Sequence, residues 1–323
     1  MCPPDGAGLP LGRDGEWDSA YHAPALLREV VELLDGLPLV LDGTLGGGGH
    51  SAALLSRGSR VVGVDRDADA LATARTRLAA DEAAGRFQAI AGNYAHLADV
   101  PALAGVRFDG ILLDLGISSH QIDDSARGFT FREGAPLDMR MGADAEADAA
   151  TLLAEAEEGE LARIFREYGD EPRAHRLARE VVRRRANQPF RTSDDLVGAI
   201  RGALGSRSGP ADFARLFQAI RIAVNHELPD LAAALPALRD RLPPGGVLAV
   251  IAYHSGEDRL VKHAFRTWSA ACICPPRQPM CTCRGHALGE TLTRRAIVAD
   301  ADEIARNPRA RSARLRAWRS AVA

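Results

Sequence analysis

The residues best equipped for chemistry stand where apolar runs stop. Val40 and Leu41 run into Asp42, then a glycine cluster (Gly43, Gly46, Gly47, Gly48, Gly49), His50 and Ser51. Val61 to Val64 runs into Asp65, 23 residues after Asp42. Phe108 to Leu113 runs into Asp114 and continues through Gly116, Ser118, Ser119, Gln121, Asp123 and Asp124. Val247 to Ala252 runs into Tyr253, His254, Ser255, Glu257, Asp258 and Arg259. Glycines after a strand let the backbone approach a ligand and leave amide N–H groups free at a helix N-terminus. An acidic side chain at the tip of the second strand is placed to accept hydrogen bonds from ribose hydroxyls. The pattern predicts binding of an adenosine-containing cofactor.

The loop discriminates between cofactors. A dinucleotide fingerprint needs G-x-G-x-x-G, and here Gly46 and Gly48 are followed by Ser51 where the third glycine should stand. His50 adds a bulky polar side chain beside the place of a pyrophosphate. A loop that opens with Asp42 suits a cationic ligand better than a diphosphate. S-adenosylmethionine, with its sulfonium and ammonium, is therefore favoured over a nicotinamide cofactor.

These tips need a sheet to hold them. Tyr21 to Leu34 reads as a lead-in and helix, with one apolar stripe at Leu26, Leu27, Val30, Val31 and Leu34. Strands are expected at Pro38–Leu41, Val61–Val64, Phe87–Ala91 and Phe108–Asp114, with a helix over Asp69–Ala84. Such alternation predicts an α/β fold with a parallel, doubly wound sheet. From about Asp144 to Leu228 only helical patterns occur, with Ser193 as an expected N-cap. Strand character resumes at Val247–Ala252, and the sheet is expected to finish near Leu292–Val298 and Ser312–Trp318. The predicted organisation is a sheet domain over 1–122 and 224–323, interrupted by a helical insertion over 123–223 that recognises substrate.

Other features carry weaker chemistry. The segment from Asp123 to Met141 is polar and glycine-rich, suiting a lid or substrate loop; Phe129 and Phe131 in it could stack on a base or anchor the loop to a core. Arg173, Arg176, Arg179 and Arg183 form a basic helical stripe, widened by Arg184 and Arg185, that could hold RNA phosphates or simply be solvated. With 40 basic residues of which only Lys262 is lysine, and a formal charge of −3, the chain has no global polyanion-binding signature. Cys272, Cys274, Cys281 and Cys283 could hold zinc, but their one-residue gaps are shorter than the C-x2-4-C pairs of structural sites, so no metal is expected. No apolar run approaches the ~20 residues of a membrane span, and no secretory core precedes Asp18, so a cytoplasmic protein with reduced cysteines is expected.

Taken together, these residues resemble the MraW/RsmH family of bacterial small-subunit rRNA (cytosine-N4)-methyltransferases. The resemblance runs from His22 to about Arg316 through HAPALL, LDGTLGGGGHS, VDRD, FDGILLDLGISSHQIDDSARGFTFREGAPLDMRM, YGDE, FQAIRIAVNHEL, LPPGGVLAVIAYHSGEDR and NPRARS. It implies a class I (Rossmann-like) methyltransferase sheet with an inserted helical domain. It also implies S-adenosylmethionine as cofactor, with contacts on Gly48, Gly49, His50, Asp65, Tyr94, Asp114 and Gln121. The implied reaction is methylation of the exocyclic N4 amine of a decoding-centre cytidine (position 1402 in the usual rRNA numbering), with 16S rRNA or the small subunit as partner. Tyr94 stands where many members have phenylalanine, SSHQ replaces the commoner SSPQ, HSGEDR replaces HSLEDR, and RIAVNHEL lacks a frequent tryptophan. None of these removes a charged or donor group that the chemistry needs.

The expected chemistry is in-line attack of the amine nitrogen on the sulfonium methyl. Acceptors on the amine hydrogens would localise a lone pair otherwise delocalised into the ring. Asp114, Ser118, Ser119, His254 and Asp258 are the candidates for gripping or polarising the base. The rival readings are a nicotinamide oxidoreductase, a non-catalytic RNA-binding assembly factor, and an amino-methyltransferase acting on another nucleic acid.

Overall fold

The computed structural model describes residues 24–275, 278 and 280–322, apart from the side chains of residues 119 and 120. His22 and the start of the lead-in lie outside them. Two compact units are present, one running up to Gly116 and again from Ala233 onward, the other spanning Ile117–Ala232.

The first unit is built on a seven-stranded sheet among the described residues, and it is the class I methyltransferase fold that the resemblance implies. Helix α1 (Leu27–Leu34) precedes β1 (Leu39–Asp42), and α2 (Gly49–Ser56) follows the glycine loop into β2 (Arg60–Asp65). The helix expected over 69–84 divides into α3 (Ala68–Arg77) and α4 (Ala79–Ala83), because the chain leaves helical geometry at Leu78. Leu78 is buried there against Gly48. β3 (Phe87–Ala91) and β4 (Gly110–Asp114) complete the first half. β2 and β4 both pair parallel to β1, and β3 pairs parallel to β2. The chain therefore reverses its direction of travel across the sheet between β1 and β4. A crevice for ligands opens at such a switch point, outside the carboxyl ends of the strands.

The second unit carries α5 (Ser119–Asp123), α6 (Ala149–Glu155), α7 (Glu158–Glu167), α8 (Ala174–Arg185), α9 (Ser193–Leu204) and α10 (Pro210–Val224). Leu161, Phe165, Leu177, Val181, Ile200, Leu216 and Ile220 form its own buried core. Ser193 is not the N-cap of α9. That position belongs to Thr192, whose N–H donates to Asp195 at 2.9 Å, while the Ser193 hydroxyl is drawn off to the carbonyl of Arg132. The irregular stretch before α6 is held by Asn225, fully buried at the end of α10. Its Oδ1 accepts from the N–H of Met141 at 2.8 Å and its Nδ2 donates to the carbonyl of Met139 at 2.7 Å. Met139 takes a left-handed backbone at φ 63°, which this clamp holds in place.

Helix α11 (Glu227–Arg239) leads back to β5 (Val247–Ala252), whose six residues are all buried, as a strand covered on both faces requires. It pairs parallel to β4. α12 (Ser255–Ser269), β6 (Gly289–Thr291), α13 (Ala301–Arg306) and β7 (Arg314–Ser320) finish the chain, with β7 antiparallel between β5 and β6. The strand expected over 292–298 is shorter and earlier than that. After Thr291 the Thr293 hydroxyl accepts the Ala317 N–H at 3.0 Å, so a side chain takes over the pairing, and Ile297 returns only as an isolated bridge. No helix among the described residues is long and apolar enough to cross a membrane.

Candidate functional site

The glycine loop is tied to the strands on both sides. Gly43 N–H donates to the carbonyl of Leu112 on β4 at 2.9 Å, and Leu45 N–H to that of Val64 on β2 at 3.0 Å. At Gly43 a β-carbon would lie 2.6 Å from Leu113 and 3.2 Å from Tyr94, so only glycine lets the loop lie this close. Gly48 caps α2 with φ 74°, a conformation that side chains resist. Asp42 is almost wholly buried beneath this loop, and its Oδ2 accepts the Ser51 hydroxyl at 2.7 Å. Ser51 therefore has a positive use where a third glycine would stand. It ties α2 to the end of β1.

Burial raises the carboxyl of Asp42 to about 6, against the pull of His50 and the Ser51 bond. A folded value above the ordinary 3.8 means that folding favours the protonated acid. The associated stability is complete below pH 3.8 and is lost as pH climbs through about 6. Asp42→Asn keeps an oxygen for Ser51 and cannot ionise. Relative to this variant, the wild type should therefore lose roughly 2–3 kcal/mol of stability between pH 4 and 7.5. Denaturant melts of both proteins across that range would show it, and a difference that stays flat with pH would contradict it.

His50 is buried on the first turn of α2, with Nε2 3.0 Å from the Ala25 carbonyl. A carbonyl only accepts, which places a proton on Nε2 and leaves Nδ1 facing Asp114 Oδ2 at 3.8 Å. Burial lowers the imidazole pKa, favouring the neutral ring.

Asp65 ends β2 half-buried. Its Oδ2 accepts the Gly46 N–H at 2.8 Å and its Oδ1 the Asp67 N–H at 2.9 Å. Burial again raises this carboxyl to about 6 in spite of both bonds. The expected ribose acceptor thus also fixes the glycine loop, because Gly46 lies in the left-handed region at φ 51° with its N–H turned to β2.

Asp114 ends β4 with its side chain 10% exposed. Its own N–H donates to the Thr44 hydroxyl at 2.6 Å, and the Tyr253 hydroxyl donates to its carboxylate. Burial, with Asp114 and Glu257 nearby, raises the Tyr253 phenol well above its ordinary value, so it stays a donor. Gly116 makes room for this contact: a β-carbon there would sit 2.7 Å from the Tyr253 ring. Thr44 was not among the expected site residues, and Tyr253 and Gly116 were noted at strand ends with no role given to them. Their only local signal was position at a strand end, because the contacts join residues 70 or more positions apart in the chain.

The remaining candidates separate clearly. His254 is the N-cap of α12. Its Nδ1 accepts the Gly256 N–H at 3.2 Å, while Nε2 lies 3.1 Å from Glu257 Oε1 but out of line for a hydrogen bond. Buried Glu257 reaches back to the N–H groups of Tyr253 (2.8 Å) and His254 (3.3 Å), closing a capping box. Asp258 is taken by Arg316 on β7 in a two-pronged ion pair, at 2.7 and 3.2 Å. That pairing anchors α12 to the sheet and gives Asp258 a structural use. Ser118 and Gln121 cap α5 reciprocally, Ser118 N–H donating to Oε1 at 3.0 Å and Gln121 N–H to the serine hydroxyl at 3.1 Å. Ser119 opens α5, and its side chain lies outside the described residues. Tyr94 opens the 3-10 turn Tyr94–Asp99 beside Gly43.

Several of the other features are engaged within the chain. Phe131 packs edge-on against Phe213 and Phe217 at 6.0 and 6.1 Å, and Phe129 packs on the helical core. Much of the arginine stripe is engaged within the chain. Arg183 and Arg184 pair with Glu180, Arg173 reaches the Leu204 carbonyl, and Arg185 caps α6 at the carbonyls of Leu153 and Ala156.

A family model described as the MraW methylase family matches residues 19–321. A Ribosomal RNA small subunit methyltransferase H from Gemmatimonas aurantiaca is 64% identical over 312 residues, 97% of this chain and 98% of that protein. One of the same name from Heliobacterium modesticaldum is 47% identical over 307 residues, 92% of this chain and 97% of its own. A solved rRNA methylase from Streptococcus thermophilus aligns over 91% of this chain and 93% of its own, with a TM-score of 0.39 and 12% identity.

Proposed function

The chain belongs to the MraW methylase family, and from that premise we propose that it methylates the exocyclic N4 amine of a decoding-centre cytidine in 16S rRNA, with S-adenosylmethionine as donor. The observation that carries this reading is 64% identity, sustained end to end, with a protein named Ribosomal RNA small subunit methyltransferase H.

The chemistry of the first unit supports the donor. Carboxylates stand at the ends of β1, β2 and β4, on both sides of the switch point. Such a rim attracts an ammonium and a sulfonium and repels a diphosphate. Asp65 would accept the ribose hydroxyls, and Tyr94 would pack on the adenine. The glycine loop and His50 would line the amino-acid end, with Gln121 as a further contact. When bound, the donor supplies a methyl group on positively charged sulfur.

The protein's own residues then have to activate a poor nucleophile. In this reading Asp114 accepts a hydrogen of the cytosine amine, localising the nitrogen lone pair as the new N–C bond forms, and it stands ready to take the proton that leaves. Tyr253 and Thr44 hold Asp114 in place; they are positioning residues. His254 and Ser118 serve as caps that order the turns after β5 and β4, and Ser119 remains a candidate contact to the base. A basic hollow of about 500 Å³ beside the start of α12, bordered by Arg259, Lys262, Arg314 and Ser312, would take RNA phosphates. Substrate recognition by the helical unit completes the proposal, with Arg176 and Arg179 on its exposed face.

The test is to incubate the protein with methyl-labelled donor and either small subunits or free 16S rRNA lacking the modification, then map the label. One methyl on N4 of that cytidine, in at least one of the two substrates, is expected. RNA binding without consumption of the donor would instead mark an assembly factor, and label confined to another nucleic acid would overturn the substrate assignment.

A further inference from the structure

We propose that Cys272, Cys274, Cys281 and Cys283 form a closed, four-thiolate zinc site that staples the long connection between α12 and β6. The four sulfurs all lie within 4.8 Å of one another. Cys281 is at their centre, 3.9 Å from Cys272, 3.8 Å from Cys274 and 3.5 Å from Cys283. A tetrahedron of sulfurs at the usual Zn–S length of about 2.3 Å has edges of about 3.8 Å. The side chains are thus gathered at the spacing a zinc ion imposes. Every one of those distances is far beyond the ~2.05 Å of a disulfide, and Cys281 does not single out one partner.

The one-residue gaps, which argued against a metal when spacing alone was considered, are resolved by the local backbone. Neither C-x-C arm is helical. Irregular backbone is free to turn each pair of side chains inward, and all four sulfurs do converge to within 4.8 Å of one another. Backbone donors add to the pattern: the N–H of Ile273 lies 3.4 Å from Cys283 Sγ, and that of Gly285 also bonds it. Sulfurs that accept several N–H bonds are suited to being thiolates.

What surrounds the cluster explains why a cross-link is needed. Ile273 and Met280 are 48% and 76% exposed, so neither of these apolar side chains of the turn is packed into a core. Arg284 ties its far end to the last carbonyls of α12, at 2.8 Å from that of Ala270. A segment of this kind gains order from a metal when it cannot gain it from burial. The cluster follows the C-terminus of α12, whose 15 residues span about 22 Å from the cap at His254. With four protein ligands there is no open coordination position, so the ion is structural and takes no part in methyl transfer. Binding releases the thiol protons as the Zn–S bonds form and involves no oxidation.

Full-length protein purified under reducing, chelator-free conditions should carry about one zinc per chain by elemental analysis. After removal of zinc and addition of cobalt(II), it should show the intense visible bands and the sulfur-to-metal charge-transfer band of a tetrahedral thiolate site. Cys274→Ser/Cys281→Ser should lower the zinc content about tenfold or more and abolish the cobalt spectrum, while leaving S-adenosylhomocysteine binding and helical circular dichroism unchanged. Should the double variant fail to fold, the wild-type zinc content and cobalt spectrum still decide the matter. A metal-free wild type with four titratable thiols and no cobalt spectrum would overturn the proposal, as would two disulfides found by mass in freshly isolated protein.

Discussion

Asp114→Ala should abolish methyl transfer to small-subunit RNA, lowering single-turnover rates on the order of 10³-fold or more. The expectation rests on how completely Asp114 is held. Its N–H is fixed by Thr44, its carboxylate takes the Tyr253 hydroxyl, and the imidazole of His50 stands 3.8 Å away. A charge preorganised in this way costs nothing to orient at the moment of reaction, and its removal leaves the amine lone pair in the ring. Alanine would also strand the buried Tyr253 hydroxyl, at a stability cost of about 1–3 kcal/mol. Asp114→Asn separates the two effects. It keeps the volume and an acceptor but not the charge, so melting should stay near wild type while turnover falls nearly as far. Near-normal turnover in either variant would remove Asp114 from the chemistry.

Asp65→Ala should act on binding in place of turnover. Donor affinity is expected to drop about 100-fold, roughly 2.7 kcal/mol, with the rate at saturating donor changed far less. Two losses combine: the proposed charge-assisted bonds to the ribose, and the bond from Gly46 N–H at 2.8 Å that holds the glycine loop toward β2. Calorimetric titration with S-adenosylhomocysteine measures the affinity, and rates at high donor concentration measure the remainder. An unchanged dissociation constant would contradict the role given to Asp65.

The contrast between these residues shows what could be read along the chain. Val40–Asp42, Val61–Asp65 and Ile111–Asp114 announce themselves, because buried parallel strands read as apolar runs and the acidic residue ending each is an abrupt change. The glycine loop is equally plain, since left-handed backbone at Gly46 and Gly48 has few other solutions. What stayed hidden depends on partners distant in sequence. Asp258 looked like a strand-end carboxylate for chemistry, and only the fold brings Arg316 to it across 58 positions. Tyr253 was visible only as a residue at the end of a strand, and only the missing side chain at Gly116 lets its ring reach Asp114. The four cysteines were visible as a motif, but spacing alone could not reveal that the fold gathers all four sulfurs within 4.8 Å. The edge strand β6 was misjudged for a related reason. Its limit is set by the Thr293 hydroxyl taking the Ala317 N–H of β7, not by local pattern.

One titration tests the central claim, that carboxylates at the ends of neighbouring strands form a site for a positively charged methyl donor. Calorimetry of the wild-type protein with S-adenosylmethionine and S-adenosylhomocysteine should give saturable binding at about one per chain, with no heat from reduced nicotinamide dinucleotide. Silence toward both sulfur ligands alongside firm binding of the dinucleotide would contradict the account at its root.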